Sequence, residues 1–220
     1  MGSGQLTLIA LTGIKLVEPG DDLGAIAVAA FAANGLLPEA GDVLVVAQKI
    51  VSKAEGRYVD VTTVEPSEQA IALAAEVHKD PRFVEVVLSQ SKRVVRHRPG
   101  LLIVEHQLGF VMANAGIDHS NLPLQGGSER VLLLPEDPDG SALALRKRLV
   151  GVFGTDIAVV VSDSFGRAWR KGTVGVALGA AGLPALIDMR GHPDLFGREL
   201  LVTEIGFADE IAAAAGLLMG

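Results

Sequence analysis

The chain has 220 residues, no cysteine, and 26 acidic against 19 basic residues, for a formal net charge of −7. The missing cysteines exclude disulfides, a thiolate nucleophile and Cys-ligated zinc or iron–sulfur centres. The acidic balance runs against a general nucleic-acid binder, and 4% aromatic residues against a stacking platform built from many rings. Mean hydropathy is high, at +0.40, but the longest nonpolar stretch, residues 174–187, is interrupted by glycines and Pro184. It falls short of the roughly 20 residues that a spanning helix needs. Met1-Gly2-Ser3-Gly4 is not a secretory start. The expectation is a cytoplasmic protein with a large buried core and neither a membrane nor a nucleic-acid partner.

In chain order, the apolar run 6–11 suits a strand. Asp21-Asp22 then precede Leu23, Ile26, Ala27, Ala30 and Phe31 at i, i+3, i+4 spacing. That pattern predicts a helix over 22–33, capped by aspartate and ended by Asn34-Gly35. Gly41-Asp42 reads as a turn before a buried strand at 43–47. Helices follow at 66–79 and from Pro81 to Gln90, then strands near 94–96, 101–105 and 110–113. Residues 118–127 read as a loop, 131–134 as a strand and 141–150 as a helix. Residues 157–161 are five apolar residues, mostly β-branched, between Asp156 and Asp163, and make the clearest strand. Residues 166–173 are basic and turn-like. Residues 174–187 are ambiguous, because Gly175, Gly179 and Gly182 argue against a helix. A strand at 201–207 and a helix at 209–219 close the chain. Strands and helices do not alternate strictly, so the expected class is α+β, a mixed α/β arrangement.

The common nucleotide-binding glycine loops and hydrolase motifs are absent. Four segments can still carry chemistry. Asp163-Ser164 follows the clearest strand, where a carboxylate beside a hydroxyl can hold a hard divalent cation, or only shape a turn. Next comes Gly166-Arg167-Ala168-Trp169-Arg170-Lys171-Gly172, with three cations and the only tryptophan. It is either a solvated loop or a place where arginine forks meet phosphate or carboxylate. In Asn114–Asn121, Asp118 can ligate a metal, Asn121 can contact a base or ribose, and His119 can titrate. Such a loop is also an ordinary turn. Lys49 and Lys53 share a face if the chain is helical there, which suits a phosphate between them.

These segments recur in order in one family. Gly20-Asp21-Asp22-Leu23, Gly41-Asp42-Val43-Leu44-Val45-Val46 with Ser52-Lys53-Ala54-Glu55-Gly56-Arg57, residues 113–121, residues 162–170, and Arg198-Glu199-Leu200 with Val202-Thr203-Glu204 carry the resemblance. From about residue 6 to 220 the sequence resembles the coenzyme F420-0:L-glutamate ligases, the gamma-glutamyl ligases that finish the deazaflavin coenzyme F420. The resemblance implies a single domain over 1–220 with that family's fold, assembled as an intertwined homodimer. It implies GTP-dependent addition of L-glutamate to coenzyme F420-0, first as an amide and then through gamma-linkages. Two Mg2+ or Mn2+ ions per site and K+ are the implied cofactors. Asp118 and Asp163 are the implied metal ligands, with Ser164 near a second metal. Ile14, Lys15, Leu16, Val17, Gln48, Lys49, Lys53 and Asn121 are the implied nucleotide contacts. Gln48-Lys49 departs from the small hydroxyl pair of the family at that position. The family's glycine-rich nucleotide segment after the last helix is expected to be lacking here.

The chemistry implied is phosphorylation of a carboxylate by GTP to an acyl phosphate, which the glutamate amine then attacks. This needs carboxylates, metals and cations rather than a protein nucleophile. No residue is assigned as catalytic in its own right. Charge alone makes Arg167, Arg170 and Lys171 candidates for the substrate phosphate or the incoming glutamate. The alternatives are a metal-dependent phosphohydrolase or nucleotidyl enzyme, and a non-catalytic deazaflavin- or nucleotide-binding module.

Overall fold

Asp22 opens the first helix: its carboxylate accepts the Ala25 amide at 2.9 Å, satisfying a donor that helix geometry leaves orphaned. The computed structural model describes residues 4–119 and 129–219. In chain order its elements are α1 (Leu23–Ala33), β1 (Val43–Ala47), α2 (Gln48–Ala54), β2 (Tyr58–Asp60), α3 (Glu68–Val77), α4 (Pro81–Ser89), β3 (Ser91–Arg98), β4 (Leu101–His106), β5 (Val111–Ala113), β6 (Arg130–Leu132), α5 (Pro138–Phe153), β7 (Ala158–Gly166), β8 (Thr173–Ala181), β9 (Ile187–Asp188), β10 (Glu204–Ile205) and α6 (Phe207–Met219). The α+β expectation holds. The chain divides into two compact units, Met1–Val51 with Glu136–Gly220, and Ser52–Pro135.

In the first unit β7 lies between β1 and β8. It runs parallel to β1, from Val43↔Ala158 to Ala47↔Ser162, and antiparallel to β8. Val159 and Val161 pack with Ala27 of α1 and with Leu145 and Leu149 of α5, where Phe31 and Phe153 meet edge to face at 5.4 Å. On the alternate face Ser162 meets Met219 of α6, Oγ to Sδ 3.9 Å. Covered on both faces, β7 takes an uninterrupted apolar run.

The ambiguous stretch 174–187 resolves mainly into β8. Its glycines let helices approach. A Cβ at Gly175 would fall on the Ala212 carbonyl of α6, and one at Gly179 on the Pro138 backbone of α5. Two carboxylates then occupy amides of β8: Asp209 accepts from Ala177 at 2.8 Å and Asp139 from Ala180 at 2.9 Å. This blunts an edge strand that would otherwise template further pairing. The strand expected at 201–207 shrinks to Glu204–Ile205, paired with β9. The strand expected at 6–11 is not formed. The segment has no ladder partner among the described residues, and Leu6 and Ile9 stand 77% and 59% exposed.

The second unit packs α3 and α4 on the antiparallel sheet β3-β4-β5. Ser67 caps α3 and Asp80 caps α4, with Pro81 pre-set for the first turn. Leu102 and Val104 of β4 alternate inward onto Val77, Val84 and Val87. β2 and β6 form a separate antiparallel pair. Among the described residues no helix is long and apolar enough to cross a membrane.

Candidate active site

The parallel pairing of β1 and β7 sets the centre of the candidate site. Ala47 and Ser162 are register partners, so Gln48-Lys49, at the carboxyl end of β1, follow directly beside Asp163-Ser164, where β7 runs on paired with β8 alone. Open sheets with parallel strands collect ligands at that end. Gln48 is buried, Lys49 and Asp163 are half-buried, and Ser164 is exposed. A β-bulge between Val161 and Ser162 shifts the β8 register immediately before Asp163, a feature that re-aims neighbouring side chains. After Ala47 the chain turns directly into α2. Lys53 therefore follows Lys49 by one helical turn on the same face, as their spacing anticipates.

Beyond Asp163, β7 and β8 close at Gly166↔Thr173. The tip between them holds Arg167, Trp169, Arg170 and Lys171, all exposed. The Arg167 guanidinium donates to the Lys171 carbonyl at 2.5 Å, and the Arg170 amide to the Arg167 carbonyl at 3.4 Å.

In Ile14-Lys15-Leu16-Val17, Ile14 and Leu16 are exposed and Val17 is buried. The Lys15 ammonium donates to Asp21 at 2.6 Å, which holds the Asp21 carboxyl below the usual carboxylate range, with further help from the Glu18 amide. Lys15 thus has its charge engaged by the chain itself.

Asp118 belongs to the second unit. Its amide donates to the Leu132 carbonyl at 3.0 Å, and the Leu132 amide returns the bond at 2.9 Å. The approach to it is unusual: Asn114, Ala115 and Gly116 have φ of 51°, 54° and 67°. Two non-glycine residues in the left-handed region cost roughly 1–2 kcal/mol each, so the burial of Ala115 and Ile117 has to hold this turn in place. Nothing in the sequence marks Ala115 for that conformation; only the flanking Asn and Gly hint at it. His119 lies against Phe83, ring centroids 4.7 Å apart. Asn121 falls outside the described residues.

The donor chemistry fits a hard cation. Asp163 and Ser164 offer a carboxylate and a hydroxyl, the oxygen-ligand type that magnesium and manganese prefer. Among the described residues no three His, Asp or Glu side chains gather into a ready-made cage. Magnesium sites that serve phosphate chemistry ordinarily take only one or two carboxylates and leave the rest to water and phosphate oxygens.

A sequence model of the F420-0:Gamma-glutamyl ligase family matches residues 13–220. The chain belongs to that family. It is 47% identical over 206 residues to the coenzyme F420:L-glutamate ligase of Methanopyrus kandleri, covering 94% of this chain and 78% of that one. The enzyme of the same name from Methanothermobacter thermautotrophicus is 41% identical over 215 residues, covering 98% and 84%. That of Archaeoglobus fulgidus is 43% identical over 216 residues, covering 98% and 83%. Family membership confirms the resemblance drawn from the ordered motifs. Sequence reasoning identified the motif residues. It missed the parallel pairing that sets two of those motifs next to each other, and the left-handed turn ahead of Asp118.

Proposed function

We propose that this member of the F420-0:gamma-glutamyl ligase family is a GTP-dependent ligase that joins L-glutamate to coenzyme F420-0 in F420 biosynthesis. The observation that carries the reading is the juxtaposition of Gln48-Lys49 with Asp163-Ser164 where β1 ends beside β7, in a chain whose relatives bear the ligase name.

In the first step a carboxylate oxygen of F420-0 forms a bond to the γ-phosphorus of GTP and the bond to GDP breaks. In the second, the glutamate amine attacks the acyl carbon, phosphate leaves with its bonding pair, and the amine gives up a proton. Neither step calls on a protein nucleophile. Phosphoryl transfer depends mainly on positioning and on neutralising charge at the phosphate oxygens. Lys49 and Lys53 are suited to that neutralisation, one turn apart on α2. Asp118, Asp163 and Ser164 are the proposed oxygen donors for the divalent ions, Mg2+ or Mn2+, which when bound polarise phosphate oxygens. K+ is proposed as a helper ion. Residues 14–17, Gln48 and Asn121 complete the proposed nucleotide contacts, while Arg167, Arg170 and Lys171 are assigned to the substrate phosphate or the glutamate carboxylates. We further propose that the enzyme works as a homodimer in the cytoplasm.

The test is mass spectrometry of F420-0 incubated with the protein, GTP, Mn2+ and L-glutamate. Wild type gives a product heavier by one glutamyl residue, and Asp163→Asn loses it by about two orders of magnitude or more. GTP cleavage that proceeds equally well without F420-0 and glutamate would replace the ligase with a phosphohydrolase.

A further inference from the structure

The tip of the β7–β8 hairpin carries the only tryptophan of the chain. Trp169 is 101% exposed, so the protomer does not use its indole for packing. It also sits at φ 55°, the left-handed region, which bulky side chains avoid. Strained backbone persists where its surroundings over-determine it, and such positions cluster at ligand clamps. Here the surroundings are explicit. The Gly166↔Thr173 pair closes the ladder, the Arg167 guanidinium spans the loop to the Lys171 carbonyl, and the Arg170 amide closes back on Arg167. The indole is thus presented from a braced loop, with the cations Arg170 and Lys171 immediately after it, in a chain of net charge −7.

An exposed aromatic face beside cationic forks suits a planar ring joined to an anion: the ring stacks and the anion takes the charge-assisted bonds. The geometry points to Trp169 as the platform for the deazaflavin ring of F420-0. This rests on the ligase reading and adds a specificity-determining residue to it. The spacing agrees. Gly166 follows Asp163 by three strand steps, about 10 Å. A substrate with its ring at one end and its reacting carboxylate at the other can lie along β7, ring at the tip and carboxylate toward Asp163.

Because Trp169 is the sole tryptophan, its emission reports on this platform alone. The full chain is titrated with F420-0 in the absence of GTP, against N-acetyltryptophanamide as the control for light absorbed by the ligand. The expected result is saturable quenching beyond the control. In steady-state assays Trp169→Ala raises KM for F420-0 about tenfold or more. KM for GTP and for glutamate stays within about twofold, and Trp169→Phe recovers most of the loss. Quenching no greater than the control, an unchanged KM for F420-0 in Trp169→Ala, or equal quenching by GTP would overturn the proposal. If wild type forms no product the ligase reading fails, and the titration still decides separately whether Trp169 receives a deazaflavin ring.

Discussion

His106 illustrates how one buried side chain couples the fold to pH. Its Nδ1 accepts the Leu108 amide at 3.0 Å, which places the ring proton on Nε2. That nitrogen is buried and meets no hydrogen-bond partner among the described residues. Burial first, then the charges of Arg57 and Lys92, push the imidazole below its ordinary pKa of 6.5. Arg57 is held by the Leu134 carbonyl and Lys92 lies 3.9 Å from Glu105. The unfolded chain takes up a proton near pH 6.5 while the folded one resists it. The stability from neutral His106 is therefore present above that pH and is lost as pH falls through the lowered folded value. Urea midpoints should decline between about pH 7 and pH 5, where most carboxylates remain ionised. His106→Leu should flatten that decline, and an unchanged slope would assign it to another group. At this scale helix caps were the legible part: Asp22 showed in the sequence because its physics is local. The left-handed Ala115 and Trp169 did not, because a positive φ at such residues is imposed by surroundings that the local sequence does not encode.

Among the elements, β7 and the segment 6–11 make an instructive pair. Both are short apolar runs, and only β7 forms a strand, because β1 and β8 supply its ladder and helices cover both its faces. Periodicity reports which residues prefer burial, not whether a neighbouring strand exists to bond them. β8 fails in the other direction. Gly175 and Gly179 weaken its signal as regular structure, yet they are what permits α6 and α5 to close on the sheet. Gly179→Ala should therefore destabilise the protein by about 1–3 kcal/mol through overpacking against Pro138. Gly151, exposed on α5, has open space at its Cβ position, so Gly151→Ala should raise stability by up to about 1 kcal/mol through helix propensity. Chemical denaturation of the two variants checks the contrast; equal shifts would show that close helix approach is not what Gly179 provides.

For the whole molecule, the resemblance gave the family, while the two-unit division was not apparent because its first boundary, between Val51 and Ser52, falls inside α2. The first unit also leaves large apolar side chains in water: Leu16 at 88%, Leu195 at 94% and Phe196 at 88% exposed. Large apolar side chains left in water are available for association, and the proposed homodimer gives these side chains a partner. Light scattering should return a mass near twice the 22.9 kDa of one chain. Leu195→Asp with Phe196→Asp, at the turn between β9 and β10, should shift it toward the monomer. A wild-type protein monomeric at micromolar concentration would remove the dimer from the proposal.

The discontinuous first unit bears on how the protein is made. Among the described residues β1 has one ladder partner, and that partner lies 115 residues later (158 minus 43). At roughly 5–20 residues per second on the ribosome, β1 waits on the order of ten seconds for β7, while all of Ser52–Pro135 is synthesised in between. The nascent chain therefore carries an unsatisfied hydrophobic strand throughout the birth of the inserted unit. That interval is when holding chaperones would matter most to its yield.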